Sequence, residues 1–233
     1  MADYQMPKNQ NLNIKRFDYR LTFGKNGRAK YISHLDLMRT MQRAFKRARI
    51  PIWYTQGFNP HAYMNFPLAL PLGTSSDIEI LDVALIEELE FDEIIGRLNE
   101  CMPEGLRIFK AAKPVYKHTE IAFAQYDISF DCDVSSDEAR QRFEHFLSLD
   151  KIEIEKRSKK KGVNPVDIKP HINALSMSCD DMVRLCLRLP AGCEFNLNTT
   201  AVIDAFCVYE NVVIGNIYTT RTKILCKNGE DFI

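Results

Sequence analysis

The first regular pattern in the chain is an alternation of apolar and polar residues from Phe17 to Phe23. A period of two predicts a half-buried β-strand. After a glycine-containing turn at 24–27, apolar residues recur at helical spacing up to about Ala48. Ser33 is expected to cap this helix, with Asp36 as the carboxylate of a capping box. The pattern therefore predicts a strand followed by an amphipathic helix.

The rest of the first half contains three extended segments, a helix and a last strand. Apolar runs predict strands at 52–55, 63–70 and 78–85, and Pro67 places the second of these at an edge or a bulge. A second helix is predicted from Phe91, and residues 106–111 form the last strand. The order is β-α-β-β-α-β, with extra length in the middle hairpin.

The second half repeats this order without repeating the residues. Strands are predicted at 126–130, from 152 into a basic hairpin, at 183–189 and at 212–225, with helices before Leu149 and at 197–207. Two such units predict an α+β fold made of two ferredoxin-like units in tandem. The expected division is a disordered or flexible tail at 1–16, units at 17–113 and 123–233, and a linker at 114–122.

Composition narrows the class of protein. The seven cysteines are odd in number, scattered, and free of CxxC or CxxxCxxC spacing, so neither a disulfide framework nor an iron–sulfur or other metal site is expected. No apolar run approaches the roughly 18 residues of a membrane span, and residues 1–16 lack the apolar core of a signal peptide. These features predict a cytoplasmic protein without a membrane span, metal or cofactor.

The balanced charge, 31 basic and 31 acidic residues, hides a strong asymmetry. Residues 28–49 contain seven basic side chains and one acidic side chain, whereas residues 77–104 contain ten acidic side chains. Candidate nucleic-acid contacts lie on the first helix, at the tip of the basic hairpin and just after that hairpin: Arg39, Arg43, Lys46, Arg47, Lys159, Lys160, Lys161 and Lys169. Basic faces near aromatic residues such as Trp53, Tyr54 and Phe58 suit a phosphate backbone with stacked bases. A solvated face that pairs with the acidic segment is the alternative.

Signatures of catalysis are sparse, because no P-loop, GxGxxG, HExxH or GxSxG is present. His34, at the start of the first helix, is the main candidate for a general acid or base, acting on an RNA 2′-hydroxyl, and His61 is considered as a base or a phosphate contact. Asp167 is either a carboxylate of a site or a turn former. The residues expected to contact a ligand from loops are Tyr31, His34, Phe58, Asn59 and His61.

Four strings in the first half carry a resemblance: YISHLDLMR at 31–39, RAFKRA at 43–48, QGFNPH at 56–61 and FPLALPLG at 66–73. Together they resemble the radical-SAM-associated (radical-SAM-linked) family, a domain of unknown function found beside or fused to a radical-SAM protein. The resemblance covers about residues 20–110 and departs at Ala62, where the family tends to have proline. It implies a radical-SAM partner on a separate polypeptide, since this chain contains no radical-SAM domain.

The layout of two units with a histidine near the first helix is also similar to the CRISPR repeat-cleaving endoribonucleases of the RAMP type. Those enzymes usually carry a glycine-rich loop near the C-terminal end, and this sequence has none. We therefore expect a non-catalytic module that binds RNA, such as tRNA or rRNA, beside a radical-SAM enzyme. The alternatives are a metal-independent, RAMP-like endoribonuclease using His34 and a protein-interaction scaffold.

Overall fold

The computed structural model of the chain describes residues 15–56, 58–158 and 162–232. The strands are β1 (Phe17–Lys25), β2 (Met64–Asn65), β3 (Ser75–Leu85), β4 (Leu106–Ala112), β5 (Ile121–Cys132), β6 (Glu153–Ser158), β7 (Gly162–Asp167), β8 (Asn173–Cys179), β9 (Val183–Pro190) and β10 (Ile214–Cys226). The α-helices are α1 (His34–Arg47), α2 (Phe91–Asn99), α3 (Ser136–Ser148) and α4 (Thr199–Glu210). Most of the predicted tail, residues 1–14, lies outside the described residues.

One large sheet contains strands from both halves, in the order β4-β1-β3-β10-β5-β9-β8, and β2 pairs with β3. Within the first half the order is β4-β1-β3-β2, and within the second half it is β10-β5-β9-β8, with antiparallel pairing throughout each half. The chain is therefore α+β, as predicted. The strand order is compatible with two ferredoxin-like units in tandem.

The two halves join where β3 and β10 run parallel, with Thr220 opposite Ser75 and Arg221 opposite Ser76. The hairpin of β6 and β7 stands apart as a two-stranded sheet between α3 and β8. The short connection from β4 to β5 contains one turn of 3₁₀ helix, His118–Glu120. The two halves therefore share one continuous sheet, in which β3 and β10 are the neighbouring strands from different halves.

Buried apolar side chains form two clusters that follow the two halves. The first packs β1, β3 and β4 against α1 and α2, around residues such as Phe23, Met41 and Leu81. The second packs β5, β9 and β10 against α3 and α4, and it also contains Leu68 and Ile80 from the first half. Because alternate strand residues face these clusters, the period of two in the sequence marks the core.

Helix boundaries follow the predicted caps. The Ser33 hydroxyl accepts the Asp36 backbone N–H at 3.1 Å, and the Ser135 hydroxyl accepts that of Glu138 at 3.3 Å. In the described part of the chain, no helix is both long enough and apolar enough to cross a membrane. The cap predicted at Ser33 is thus confirmed, and the Asp36 carboxylate accepts a hydrogen bond from the Ser33 hydroxyl at 2.7 Å.

The strand predicted at 63–70 is wrong beyond Asn65, because β2 spans only two residues. Pro67 and Pro71 have no backbone N–H to donate to a ladder, and their fixed φ favours an irregular path. Residues 66–74 form a loop instead, and Gly73 near its end has a φ of 82°. Glycine is the residue that adopts such a positive φ at low cost.

Candidate nucleic-acid interface

The C-terminal end of α1 turns sharply through Arg49. The backbone N–H of Arg49 donates to Lys46 O at 3.2 Å, and that of Ile50 donates to Phe45 O at 3.1 Å. These two bonds form a Schellman motif, whose residue after the cap adopts a left-handed conformation. Arg49 has a φ of 53°, a value that glycine adopts far more easily than arginine. An arginine is therefore held at a strained position beside the basic helix.

An open groove of about 680 Å³ lies between the exposed side of α1 and the segments that follow it. The residues that line this basic groove are Gln42, Arg43, Lys46, Arg49, Ile50, Pro51, Ile52, Tyr54, His61, Ala62 and Met64. The sequence predicted Arg43, Lys46 and His61 as contacts, and the fold brings these three together.

The cations of the basic groove have no close carboxylate. Among the residues that the structure describes, no Asp or Glu oxygen lies within 4.0 Å of the charged nitrogens of Arg43, Lys46 or Arg49. Carboxylates of the acidic segment pair with other cations, as in Glu79–Arg221, Asp82–Arg20, Glu88–Lys113 and Glu93–Arg97. The basic side of α1 is therefore not neutralised by those ion pairs.

The loop between Thr55 and His61 forms one end of the basic groove. The His61 backbone N–H donates to the Thr55 hydroxyl at 3.1 Å, and Thr55 Oγ1 lies 3.0 Å from His61 Nδ1. His61 Nδ1 also lies 3.2 Å from the Asn59 carbonyl oxygen. Phe58 is fully exposed at the tip of the loop. The contacts at Nδ1 hold the imidazole of His61 in place, and the same loop exposes the Phe58 ring to solvent.

His34 begins α1 at the opposite end, Tyr31 ends the 3₁₀ turn before it, and Arg39 lies in the second turn of the helix. The His34 ring meets the edge of Phe66 with centroids 5.2 Å apart, and no hydrogen bond to its nitrogens is found among the described residues. The guanidinium of Arg39 lies 3.2 Å from Asp36. A hydrogen bond from Ser33, followed by that from Arg39, holds the pKa of Asp36 below its ordinary value of 3.8. The fold does not place His34 in the basic groove.

Two residues predicted near the groove face elsewhere. Arg47 follows Arg43 by four residues on the same side of α1, but its guanidinium donates to the Cys101 carbonyl at 2.5 Å and does not line the groove. Trp53 packs edge-on against Tyr63, and the Arg16 guanidinium lies 5.1 Å from the Trp53 ring. Successive residues of an extended segment point to opposite sides, so Tyr54 enters the groove and Trp53 does not.

The second basic cluster is not brought to the groove by any residue that the structure describes. Lys159, Lys160 and Lys161 lie outside the described residues, between β6 and β7. The Lys169 ammonium donates to the Leu147 carbonyl, at the C-terminal end of α3. The Lys156 ammonium donates to Asn196 O at 3.1 Å and lies over the Phe195 ring. Lys156 and Lys169 therefore make contacts within the second half.

Asp167 has the geometry of a turn former. Its carboxylate accepts the backbone N–H groups of Ile152 and Lys169, both at 3.0 Å. These two bonds hold the pKa of Asp167 below its ordinary value of 3.8. Across the described residues, no group of three or more His, Cys, Asp or Glu side chains is arranged to hold a metal ion.

Sequence reasoning missed Arg49 and the buried charges at the junction of the two halves. Arg49 continues the run of basic residues on α1, which the sequence does show. It lies beyond the end of the helix, however, so helical spacing could not predict the direction of its side chain. Lys25, Glu79 and Arg221 lie at strand positions where a polar residue normally faces water. They are buried near the pairing of β3 with β10, which local patterns in the sequence do not reveal.

A family model described as "Uncharacterized protein conserved in bacteria (DUF2344)" matches residues 18–199. A solved structure titled "Crystal Structure of an Unknown Protein from Galdieria sulphuraria" is 10% identical, with 86% of this chain and 97% of that chain covered, at a TM-score of 0.28. No curated protein matches the chain. Because the family model covers well over half of its length, this chain belongs to the DUF2344 family of bacterial proteins.

Proposed function

We propose that this chain is a non-catalytic module that binds RNA through the basic groove. One observation carries the proposal: Arg43, Lys46 and Arg49 line a concave surface, and no carboxylate oxygen of the described residues lies within 4.0 Å of their charged nitrogens. Arginine and lysine side chains on such a surface bind phosphates and release counterions from the nucleic acid. The groove therefore supplies the sequence-independent part of RNA binding.

Two ring-bearing side chains in the same groove favour a nucleic acid over an acidic protein. Tyr54 and His61 line the groove together with the three cations. An aromatic face stacks on a base, and each such stack contributes about 1–3 kcal/mol in single-stranded complexes. Carboxylates of an acidic protein would use only the cations. Rings and cations side by side match the alternating bases and phosphates of RNA.

The experiment is a fluorescence-anisotropy titration of labelled tRNA and rRNA fragments at two salt concentrations. Three phosphate contacts predict a slope of log K against log salt of about −2. Arg43→Glu with Lys46→Glu is the test variant. Arg107→Glu with Lys110→Glu on β4 is the matched control, because it changes the net charge equally at exposed sites outside the groove. Equal loss of affinity in both variants, or no binding by the parent at low salt, contradicts the proposal.

The partner of the module is proposed to be a separate radical-SAM enzyme. Support comes from the resemblance of the strings at 31–39, 43–48, 56–61 and 66–73 to the radical-SAM-linked family. Co-purification of the two proteins tests the pairing, with RNase added to exclude a complex bridged by RNA. Co-purification that survives RNase supports a direct partner, whereas its loss after RNase restricts the contact to shared RNA.

A further inference from the structure

Exposed aromatic side chains from two distant segments, Tyr31 and Tyr218, lie together near the junction of the two halves, and the loop that contains Leu72 is hydrogen-bonded to the first of these segments. Tyr31 ends the 3₁₀ turn Gly27–Tyr31, Leu72 belongs to the loop before β3, and Tyr218 projects from β10. Tyr31 is 65% exposed and Tyr218 is 52% exposed. Exposed aromatic rings in one patch indicate a binding surface more often than isolated exposed residues do.

Lys30 links these segments. Its ammonium lies 5.0 Å from the centre of the Tyr31 ring and 5.5 Å from the centre of the Tyr218 ring. Its carbonyl oxygen accepts the Gly73 backbone N–H at 2.9 Å, which fixes the end of the loop that contains Leu72. Because both rings lie near one nitrogen, their centres are no more than about 11 Å apart. We call Tyr31, Lys30 and Tyr218 the tyrosine platform.

Buried charges support the tyrosine platform from beneath. The Lys25 ammonium donates to the carbonyls of Lys30 and Ile32, at 3.3 and 3.2 Å. The Arg221 guanidinium donates to Ala69 O at 2.9 Å and lies 2.9 Å from Glu79. These contacts fix the turn before Tyr31 and the loop before Gly73. The Lys30 ammonium beside both rings supplies a positive charge for an anionic ligand.

We infer that the tyrosine platform is a stacking site for unpaired bases of single-stranded RNA. The inference rests on the proposed RNA binding and adds the form of RNA that is selected. Bases in a duplex are already stacked and paired, so exposed tyrosine rings gain little from them, whereas unpaired bases stack on such rings. The Lys30 ammonium between the rings is placed to contact the phosphate that joins two stacked nucleotides.

Helix α1 connects the tyrosine platform with the basic groove. Leu35, Arg39, Arg43 and Lys46 follow at i, i+4, i+8 and i+11, so they share one exposed side of the helix. The 14 residues of α1 span about 21 Å at 1.5 Å per residue. A single strand of about six nucleotides covers this length at 3.4 Å per nucleotide. One strand can therefore stack at the tyrosine platform and place its phosphates along α1 in the groove.

The test measures the affinity of the full chain for a labelled single-stranded 12-nucleotide RNA, a duplex of equal length and a 12-mer with abasic residues. Tyr31→Ala with Tyr218→Ala is expected to weaken binding of the single strand at least about tenfold, in line with the loss of two stacks. Binding of the duplex and of the abasic strand is expected to stay within about twofold of the parent. Tyr31→Phe with Tyr218→Phe keeps both rings and is expected to retain single-strand binding.

The outcomes separate the inference from the proposed function. If the parent binds RNA and the groove variant weakens it, but the alanine variant binds the single strand as the parent does, only the inference fails. Equal loss in the alanine and phenylalanine variants also overturns it, because the rings would then not be the cause. If the parent binds none of the three RNAs, both proposals fail. Loss of radical-SAM co-purification in the alanine variant, with RNA affinity unchanged, assigns the surface to a protein and overturns the inference.

Discussion

The guanidinium of Arg221 lies 2.9 Å from the carboxylate of Glu79, and the two side chains come from different halves of the chain. Arg221 is 1% exposed and Glu79 is 2% exposed. Burial raises the pKa of Glu79, while Arg221, Ser76 and Lys25 act in the opposite direction. The pair lies beside the parallel contact of β3 and β10 and holds the loop before Gly73 through the Leu68 and Ala69 carbonyls.

Replacing Arg221 by methionine is expected to destabilise the fold by about 3–5 kcal/mol at pH 7, because Glu79 would remain buried without its partner. The measurement is urea-induced unfolding followed by circular dichroism. The double variant Arg221→Met with Glu79→Gln removes both charges and is expected to recover part of the loss. A double variant as unstable as Arg221→Met alone would show that the lost carbonyl contacts, and not the charge on Glu79, cause the effect.

The penalty of Arg221→Met is also expected to depend on pH. Glu79 has a raised pKa in the folded protein, so its contribution to stability is present below the unfolded value of 4.5 and is lost as pH rises through the folded value. Removal of Arg221 raises that pKa further, because a cation no longer favours the carboxylate. The variant should therefore lie closer to the parent at pH 4.5 than at pH 8. A difference in unfolding free energy that is constant over this range contradicts the prediction.

Arg49→Gly is expected to separate stability from binding. Glycine adopts the φ of 53° with less strain than arginine, so the free energy of unfolding should rise by up to about 1 kcal/mol. Loss of one phosphate contact should at the same time weaken RNA binding and reduce the salt slope by about one unit.

The matched control for this change is Asn211→Gly. Asn211 follows α4 with a φ of 50° and does not line the basic groove. Asn211→Gly should leave RNA affinity unchanged. It should stabilise the fold less than Arg49→Gly does, since asparagine tolerates this conformation better than arginine. Anisotropy titration and urea unfolding of both variants provide the comparison. Unchanged RNA affinity in Arg49→Gly would remove Arg49 from the interface.

His34→Ala distinguishes the non-catalytic module from the RAMP-like endoribonuclease. We expect labelled structured RNA to remain intact with the parent protein in EDTA, since no hydrogen-bond partner orients the His34 ring among the described residues. Denaturing gel electrophoresis over several hours is the measurement. Cleavage by the parent that disappears in His34→Ala would establish the endoribonuclease and refute the non-catalytic proposal.

Local signals in the sequence predicted the elements that depend on neighbouring residues. Ser33 and Asp36 define the start of α1, and the alternation from Phe17 to Phe23 defines β1, because caps and side-chain periods act within a few residues. The helical period also predicted that Arg39, Arg43, Lys46 and Arg47 share one exposed side, but Arg47 instead contacts the Cys101 carbonyl. Pro67 predicted an edge or a bulge for the strand at 63–70, whereas in the structure β2 ends before this proline.

Tertiary structure alone decided which of these features meet. Tyr54 and His61 reach Arg43 through the bridge of Tyr54 with Ala62, and Tyr31 reaches Tyr218 only because β3 pairs with β10. Such contacts between distant segments depend on strand pairing and on the packing of two cores, which short-range patterns do not encode. The sequence by itself thus determined the helices, most strands and the basic stripe, whereas the fold determined the groove, the buried Arg221–Glu79 pair and the tyrosine platform.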